Sequence, residues 1–219
     1  MMDTAPTTGH GKVLGHPKHE RRGLSPKARL ATIAAIVLIA LSFLFPLWAL
    51  HLRAPQYPET LNLYVYAYKF DGSHNPALND LEEINTLNHY IGMAEIHESE
   101  FAELKVLPLA LGGVALLLLA GVLLNAPWIV AVGTSLLALT GFAGLGSAYM
   151  RLYSYGHHLS PDAPLKVAPF TPPLLGTNRL VNFMTTGMFG IGGFMLMLAG
   201  GLLLYGLWDT YRHRPALKG

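Results

Sequence analysis

The chain has 219 residues, of which 52% are hydrophobic and only 13% are charged. Soluble domains carry about 25% charged residues, so this composition argues against an ordinary soluble protein and favours a membrane protein. The net charge of +2 gives little reason to expect a nucleic-acid partner, because the basic residues concentrate beside apolar runs. The absence of cysteine excludes disulfides, thiolate metal sites, covalent haem attachment and thiol redox chemistry.

Residues 1–28 precede the first apolar run and predict a disordered basic tail, because they combine Gly, Pro, Thr and charge with little periodicity. A second short tail, residues 209–219, is also basic. Lys and Arg beside a membrane span favour the cytoplasmic side. We therefore predict that both termini are cytoplasmic.

Four apolar runs predict transmembrane helices, and they cover residues 29–50, 105–125, 128–150 and 183–208. Each run is long enough to cross about 30 Å of hydrocarbon at 1.5 Å per residue. No ionisable residue lies near the middle of any run, which argues against a proton relay, an ion path or a bis-histidine haem. The sequence therefore predicts an all-α membrane protein, with four transmembrane helices and a small external α/β cap.

The segment 51–104 is acidic and is predicted to form an external domain, because an even number of crossings separates the two cytoplasmic ends. Alternating aliphatic and aromatic residues predict a strand over 61–70. Apolar residues at helical spacing predict helices over 80–92 and 95–104, with Gly92 as the C-cap of the first.

The second external segment, residues 151–182, is rich in proline and predicts an extended, rigid strap rather than a helix. Its residues 165–170 are the best candidate partner for the predicted strand 61–70. The sequence therefore predicts a small sheet that joins the two external segments.

Three residues of the first external segment are candidate copper ligands: His89, Met93 and His97. Imidazole binds either oxidation state of copper, and a thioether favours the cuprous ion. The spacing is not a metal signature of fixed geometry, and a histidine beside a tyrosine, here Tyr90, is often a hydrogen-bonded interface residue. Of the adjacent pair His157 and His158, at most one is expected to be a ligand, because neighbours on a strand point to opposite faces.

The sequence LEEINTLNHYIGM, together with the proline-rich strap, resembles the small four-helix membrane proteins that accompany nitrous oxide reductase in bacterial denitrification gene sets. The resemblance covers about residues 80–104 and 155–183, and it implies a role in the maturation of that copper enzyme or in its electron supply. It also implies a location in the inner membrane of a bacterial cell. It supplies no catalytic residue. The matching positions are Asn88, His89, Tyr90, Gly92, Met93, Pro169, Phe170, Pro172, Pro173 and Gly176.

Two functions remain open from the sequence. In one, the external domain presents copper to a respiratory enzyme. In the other, the protein is a scaffold or quinone-side subunit without a metal, and its partner is another membrane or periplasmic respiratory protein. An independent enzyme is not expected, because the chain shows no nucleophile–base pair and no phosphate-binding loop. The residues predicted to bind the partner are Tyr90, Pro169, Phe170, Pro172, Pro173 and Gly176.

Overall fold

A computed structural model describes residues 23–72, 79–180 and 182–212. Long helices form a bundle, and a five-stranded antiparallel sheet lies at one end of it. The helices are α1 Pro26–Ser42, α2 Asp80–Ile91, α3 Glu103–Leu123, α4 Pro127–His157 and α5 Ile191–Arg212. The strands are β1 Trp48–Arg53, β2 Leu61–Val65, β3 Phe70–Asp71, β4 Gly176–Leu180 and β5 Phe183–Phe189. The predictions for residues 1–22 and 213–219 lie outside the described residues.

The predicted all-α fold with four transmembrane helices is wrong. The protein has a mixed α/β fold, and three of its described helices, α3, α4 and α5, are long and apolar enough to cross a membrane. The predicted first crossing, 29–50, is divided between α1, which has 17 residues, and strand β1. The predicted fourth crossing, 183–208, begins with strand β5. Hydropathy failed here because a buried strand and a buried helix have similar apolar runs.

Local sequence explains where α1 begins and ends. Its N-cap is Ser25, whose Oγ accepts a hydrogen bond from the Ala28 backbone N–H at 3.0 Å. Pro26 occupies the first turn, where a missing N–H costs nothing. Helical structure ends at Ser42, and Pro46 lies just beyond, where its lack of an N–H prevents the helix from continuing.

The strand order in the sheet is β3-β2-β1-β5-β4. Central strand β1 follows α1, and central strand β5 leads into α5, so the sheet extends directly from this helix pair. Trp48 pairs with Phe189 at the end near the bundle, and Arg53 pairs with Met184 at the far end. The predicted pairing of 61–70 with 165–170 does not form, because β2 pairs with β1. The second segment enters the sheet only at β4, which pairs with β5.

The end of the bundle away from the sheet is closed by two long-range hydrogen bonds. The Leu24 backbone N–H donates to Asn125 Oδ1, in the α3–α4 turn, at 2.8 Å. The Ser25 hydroxyl donates to Asp209 Oδ2, near the end of α5, at 2.6 Å. The start of α1, the α3–α4 turn and the end of α5 therefore lie together, opposite the sheet.

The segment predicted as a helix over 95–104 has a different structure. Residues 93–97 are without helix or strand, a single 3₁₀ turn covers Glu98–Glu100, and α3 begins at Glu103. The Asn85 side chain explains this path, because its amide nitrogen donates to the Ile96 carbonyl at 3.1 Å and its carbonyl accepts from the Ile96 N–H at 2.8 Å. These bonds satisfy the Ile96 backbone groups without a helix.

Glycines of the predicted crossings serve several different contacts. At Gly190, an added Cβ would lie 2.1 Å from the Pro46 carbonyl oxygen, so this glycine lets the α1–β1 turn pack on the β5–α5 junction. Gly133 packs against Leu118 between α4 and α3. The glycines at 141, 144, 146, 200 and 201 instead have open space where a Cβ would stand.

Candidate functional site

The strap predicted over residues 151–182 is helical up to His157 and becomes strand β4 at Gly176. Its irregular part, residues 158–175, is called the strap from here on, and the hydrogen bonds that hold it include the following four. Its Ser160 N–H donates to the Gly92 carbonyl at 2.8 Å, and its Leu165 N–H donates to the Tyr90 carbonyl at 3.0 Å. The other two are the Phe170 N–H to the Gly156 carbonyl at 3.0 Å and Trp48 Nε1 to the Leu174 carbonyl at 2.6 Å. The strap is therefore tied to α2, α4 and β1 without being a helix or a strand.

Three glycines provide the space in which the strap lies. An added Cβ at Gly156 would stand 1.8 Å from the Phe170 carbonyl oxygen, and one at Gly187 would stand 2.3 Å from the Pro173 oxygen. Gly92 has a φ of +80° and would bring a Cβ to 3.0 Å from the Ser160 backbone. Because backbone atoms cannot rotate away as side-chain ends can, these contacts require glycine.

The residues predicted to bind a partner lie along or beside the strap. Pro169 and Gly176 are exposed, Phe170 and Pro173 are half-buried, and Pro172 is buried. Tyr90 exposes 53% of its surface while its carbonyl holds the strap. Gly176 has a φ of +92° and begins β4, so it turns the chain from the strap into the sheet. Their role in binding stays a prediction.

The predicted copper ligands lie around the end of α2. His89 is exposed in the last helical turn, Met93 is half-buried, and His97 is exposed, with its Nε2 3.1 Å from a Glu95 carboxylate oxygen. Within the described ranges, no group of three or more His, Asp or Glu is arranged to hold a metal ion. A set that is completed by a methionine is a different case, so His89, Met93 and His97 stay a prediction as copper ligands.

The other described histidines on this side have local partners. His51 Nδ1 lies 2.5 Å from Asn62 Oδ1 on the neighbouring strand. His157 stacks on Tyr153, and its Nδ1 lies 2.9 Å from the Tyr153 carbonyl. His158 Nδ1 lies 3.0 Å from the Ser154 carbonyl. His157 and His158 thus belong to the end of α4 rather than to a strand, contrary to the sequence argument.

One positioning residue, Asp80, has a role that the sequence did not reveal. It is only 1% exposed, and its Oδ2 accepts a hydrogen bond from the Asn62 backbone N–H at 2.9 Å. This bond joins the first turn of α2 to strand β2, beneath which Leu61, Leu63 and Ile84 are buried. The sequence placed Asp80 at a helix N-terminus, where an acidic residue is common, and gave no sign of its partner.

A polar contact joins α4 to the beginning of α3. Arg151 donates to both carboxylate oxygens of Glu103, through Nε at 3.1 Å and through Nη2 at 2.9 Å. Its guanidinium also lies 4.3 Å from the centre of the Phe101 ring. Such a bidentate pair with a stacked ring fixes geometry as well as charge.

Tyr57 and Glu83 form a second contact between the β1–β2 connection and α2. The Tyr57 hydroxyl donates to Glu83 Oε2, and this bond raises the pKa of Tyr57 to about 12. Since the folded-state pKa lies above the unfolded value near 10, the stabilisation is complete below pH 10 and is lost as the pH rises through 12.

We expect Glu83→Gln to lower the pKa of Tyr57 towards 10, because the substitution removes the carboxylate that accepts the hydrogen bond from the Tyr57 hydroxyl. The measurement is phenolate absorbance against pH. To isolate Tyr57 from the other tyrosines, the curve of a Tyr57→Phe variant is subtracted, once in the wild-type background and once in the Glu83→Gln background. An unchanged Tyr57 titration in Glu83→Gln would show that the hydrogen bond does not form.

No protein-family model matches this chain, and a search of curated proteins gives no match. The proposed function therefore rests on the chain's own residues and on their geometry.

Proposed function

We propose that the protein is a membrane-anchored, non-catalytic accessory protein, whose sheet and strap form a rigid docking surface for a partner protein of a respiratory system. The observation that carries this proposal is the strap itself, a segment without regular structure that is held by four hydrogen bonds and three glycine contacts. The resemblance to proteins that accompany nitrous oxide reductase suggests the kind of partner.

Anchoring in a membrane is supported by the outer surface of the bundle. Helices α3, α4 and α5 each satisfy the length and composition of a membrane span. Large apolar side chains point outward from them, including Leu109 at 77% exposure, Phe142 at 76% and Leu204 at 62%. Surfaces of this kind are unfavourable in water and favourable in hydrocarbon.

The proposed orientation places the sheet and strap outside the cytoplasm. The charged tails adjoin the end of the bundle where Leu24, Asn125 and Asp209 meet, and these tails are basic. Basic flanks favour the cytoplasmic side. The sheet, at the opposite end, would then face the periplasm of a bacterial cell, where a soluble or membrane-bound respiratory enzyme can reach it.

A fixed strap suits binding, because a segment already held in one shape loses little conformational entropy when a partner docks. Pro172 is buried and Phe170 is half-buried, whereas Pro169 and Leu175 are exposed, Leu175 at 52%. The strap therefore presents a small apolar surface whose shape is set by buried neighbours.

The test uses the absence of cysteine, so that each introduced cysteine is unique. We expect Pro169→Cys and Leu175→Cys, labelled with a photo-crosslinker in native membranes, to give an adduct with the same partner protein. Tyr68→Cys is the matched control, because Tyr68 is similarly exposed, at 49%, but lies at the opposite edge of the sheet. Equal adducts from Tyr68→Cys, or none from the strap, would refute the docking role.

Copper presentation is a second candidate, favoured by the contact between Asn85 and Ile96. That contact holds the segment carrying His97 against the helix that carries His89, and both imidazoles are exposed. A cuprous site there would need Met93 as its thioether ligand. The nearest charge partner of His97, Glu95, does not prevent the ring from binding a metal through its other nitrogen.

We expect a copper-binding protein to lose cuprous ion in His89→Ala and His97→Ala, while protein yield stays unchanged because both residues are exposed. Met93→Leu should weaken cuprous binding more than zinc binding, since it removes only the soft ligand. The measurement is metal content and cuprous affinity of the purified protein. Equal copper in wild type and variants, or none in the wild type, would exclude this site.

A further inference from the structure

The two faces of the sheet are used differently. The face that carries Trp48 and Leu50 packs on α2 and on the strap. The opposite face carries His51, Arg53, Asn62, Arg179, Met184 and Thr186, all exposed or half-buried. Neither the candidate copper set nor the strap uses this second face, which we call the open face.

Two arginines lie side by side on the open face, on either side of one methionine. Arg53 of β1 and Arg179 of β4 both pair with Met184 of the intervening strand β5. Side chains at paired positions point to the same face. Two strand spacings separate the arginine backbones by roughly 10 Å.

Both arginines line a shallow concavity of about 420 Å³, together with Met184, Asn182, Tyr57 and Glu59. Glu59 is the one acidic side chain among its lining residues, so the guanidinium groups outnumber it. Among residues 23–72, 79–180 and 182–212, the ion pairs of lysine and arginine are Lys69–Asp71 and Arg151–Glu103, and neither Arg53 nor Arg179 belongs to one.

We propose that the open face binds an extended acidic segment of the partner protein, whose carboxylates pair with Arg53 and Arg179 across Met184. This inference rests on the proposed function for the identity of its occupant. Two acidic side chains at alternate positions of an extended segment lie about 7 Å apart. Each guanidinium can bind a carboxylate through two parallel hydrogen bonds, and the methionine between them offers an adaptable apolar contact.

Position on the strand favours a protein carboxylate over a lipid headgroup. Strand β1 leaves the bundle at Trp48, and Arg53 is five residues further along, at the far end of the sheet. At about 3.3 Å per residue, this places Arg53 roughly 16 Å beyond Trp48. The same charge argues against a copper ion at His51 and Met184, since a cation would stand beside Arg53.

The test measures binding of a fluorescein-labelled peptide with alternating Thr and Asp to the full chain in nanodiscs of neutral lipid, by fluorescence anisotropy. A Thr-Asn peptide of the same length is the reference. We expect wild type to bind the acidic peptide at least tenfold more tightly than the reference, and Arg53→Gln/Arg179→Gln to remove this preference. Arg53→Lys/Arg179→Lys should bind with intermediate affinity, because charge remains but the guanidinium fork is lost.

Lys27→Gln/Lys105→Gln is the matched control, since it removes two exposed positive charges from positions outside the strap and the open face. Equal weakening in this control, no effect of the arginine changes, or equal binding of both peptides by wild type would overturn the proposal. Failure here with intact strap crosslinking would leave the docking function standing. Peptide binding without any strap adduct would instead refute the docking function and retain the acidic site.

Discussion

Gly156→Ala is expected to release the strap from the end of α4. A Cβ at this position would lie 1.8 Å from the Phe170 carbonyl oxygen, so the strap backbone must move, and the bond from the Phe170 N–H to the Gly156 carbonyl is lost with it. Overpacking and one lost hydrogen bond together cost about 2–3 kcal/mol. The Phe170 amide should then exchange with solvent roughly 30- to 150-fold faster, as measured by hydrogen exchange.

Gly144→Ala, in the same helix, is the matched control. An added Cβ there meets nothing within 4 Å, and alanine is favoured over glycine in a helix by about 1 kcal/mol. Its strap amides should exchange at the wild-type rate. If both variants behave alike, the glycine contact with Phe170 does not determine the position of the strap.

Asp80→Ala is expected to loosen α2 from the sheet. The substitution leaves the Asn62 N–H without its carboxylate acceptor in a site where Asp80 is only 1% exposed. Loss of a hydrogen bond to a carboxylate costs about 1.5–3 kcal/mol. The measurement is hydrogen exchange at the Asn62 amide and along α2, both of which should accelerate together.

Glu82→Ala separates this effect from the general benefit of acidic residues at a helix N-terminus. Glu82 lies in the same first turn but is exposed, so its loss should cost at most about 1 kcal/mol. Asp80→Asn should fall between the two, because an amide oxygen can still accept the bond. Equal effects of Asp80→Ala and Glu82→Ala would show that the bond to Asn62 contributes nothing.

The helices of the fold could be predicted in part from the sequence. Apolar runs pointed to α3, α4 and α5, which do have the length and composition of membrane spans. The prediction of a continuous helix failed over 29–50 and 183–208. In each of these runs the apolar residues belong partly to a helix and partly to a strand inside the sheet. Only long-range pairing, such as Trp48 with Phe189, distinguishes these strands, and hydropathy does not contain that information.

The candidate site was harder to predict from the sequence than the helices were. Proline density favoured an extended strap, but the glycines that seat it are distant in sequence, and Gly187 was assigned to a membrane helix rather than to β5. The pairing of Arg53 with Arg179 across Met184 depends on the register of three strands. The bond between Asp80 and Asn62 likewise depends on tertiary contact, so no local pattern could reveal it.

We propose that the partner recognises the fixed shape of the strap. The direct test is the crosslink from labelled Leu175→Cys in native membranes, compared between the Gly144→Ala and Gly156→Ala backgrounds at equal protein level. We predict full adduct yield with Gly144→Ala and at least a tenfold loss with Gly156→Ala. An equal yield in the two backgrounds, with the Phe170 amide shown to be released in Gly156→Ala, would contradict recognition of the fixed strap by the partner.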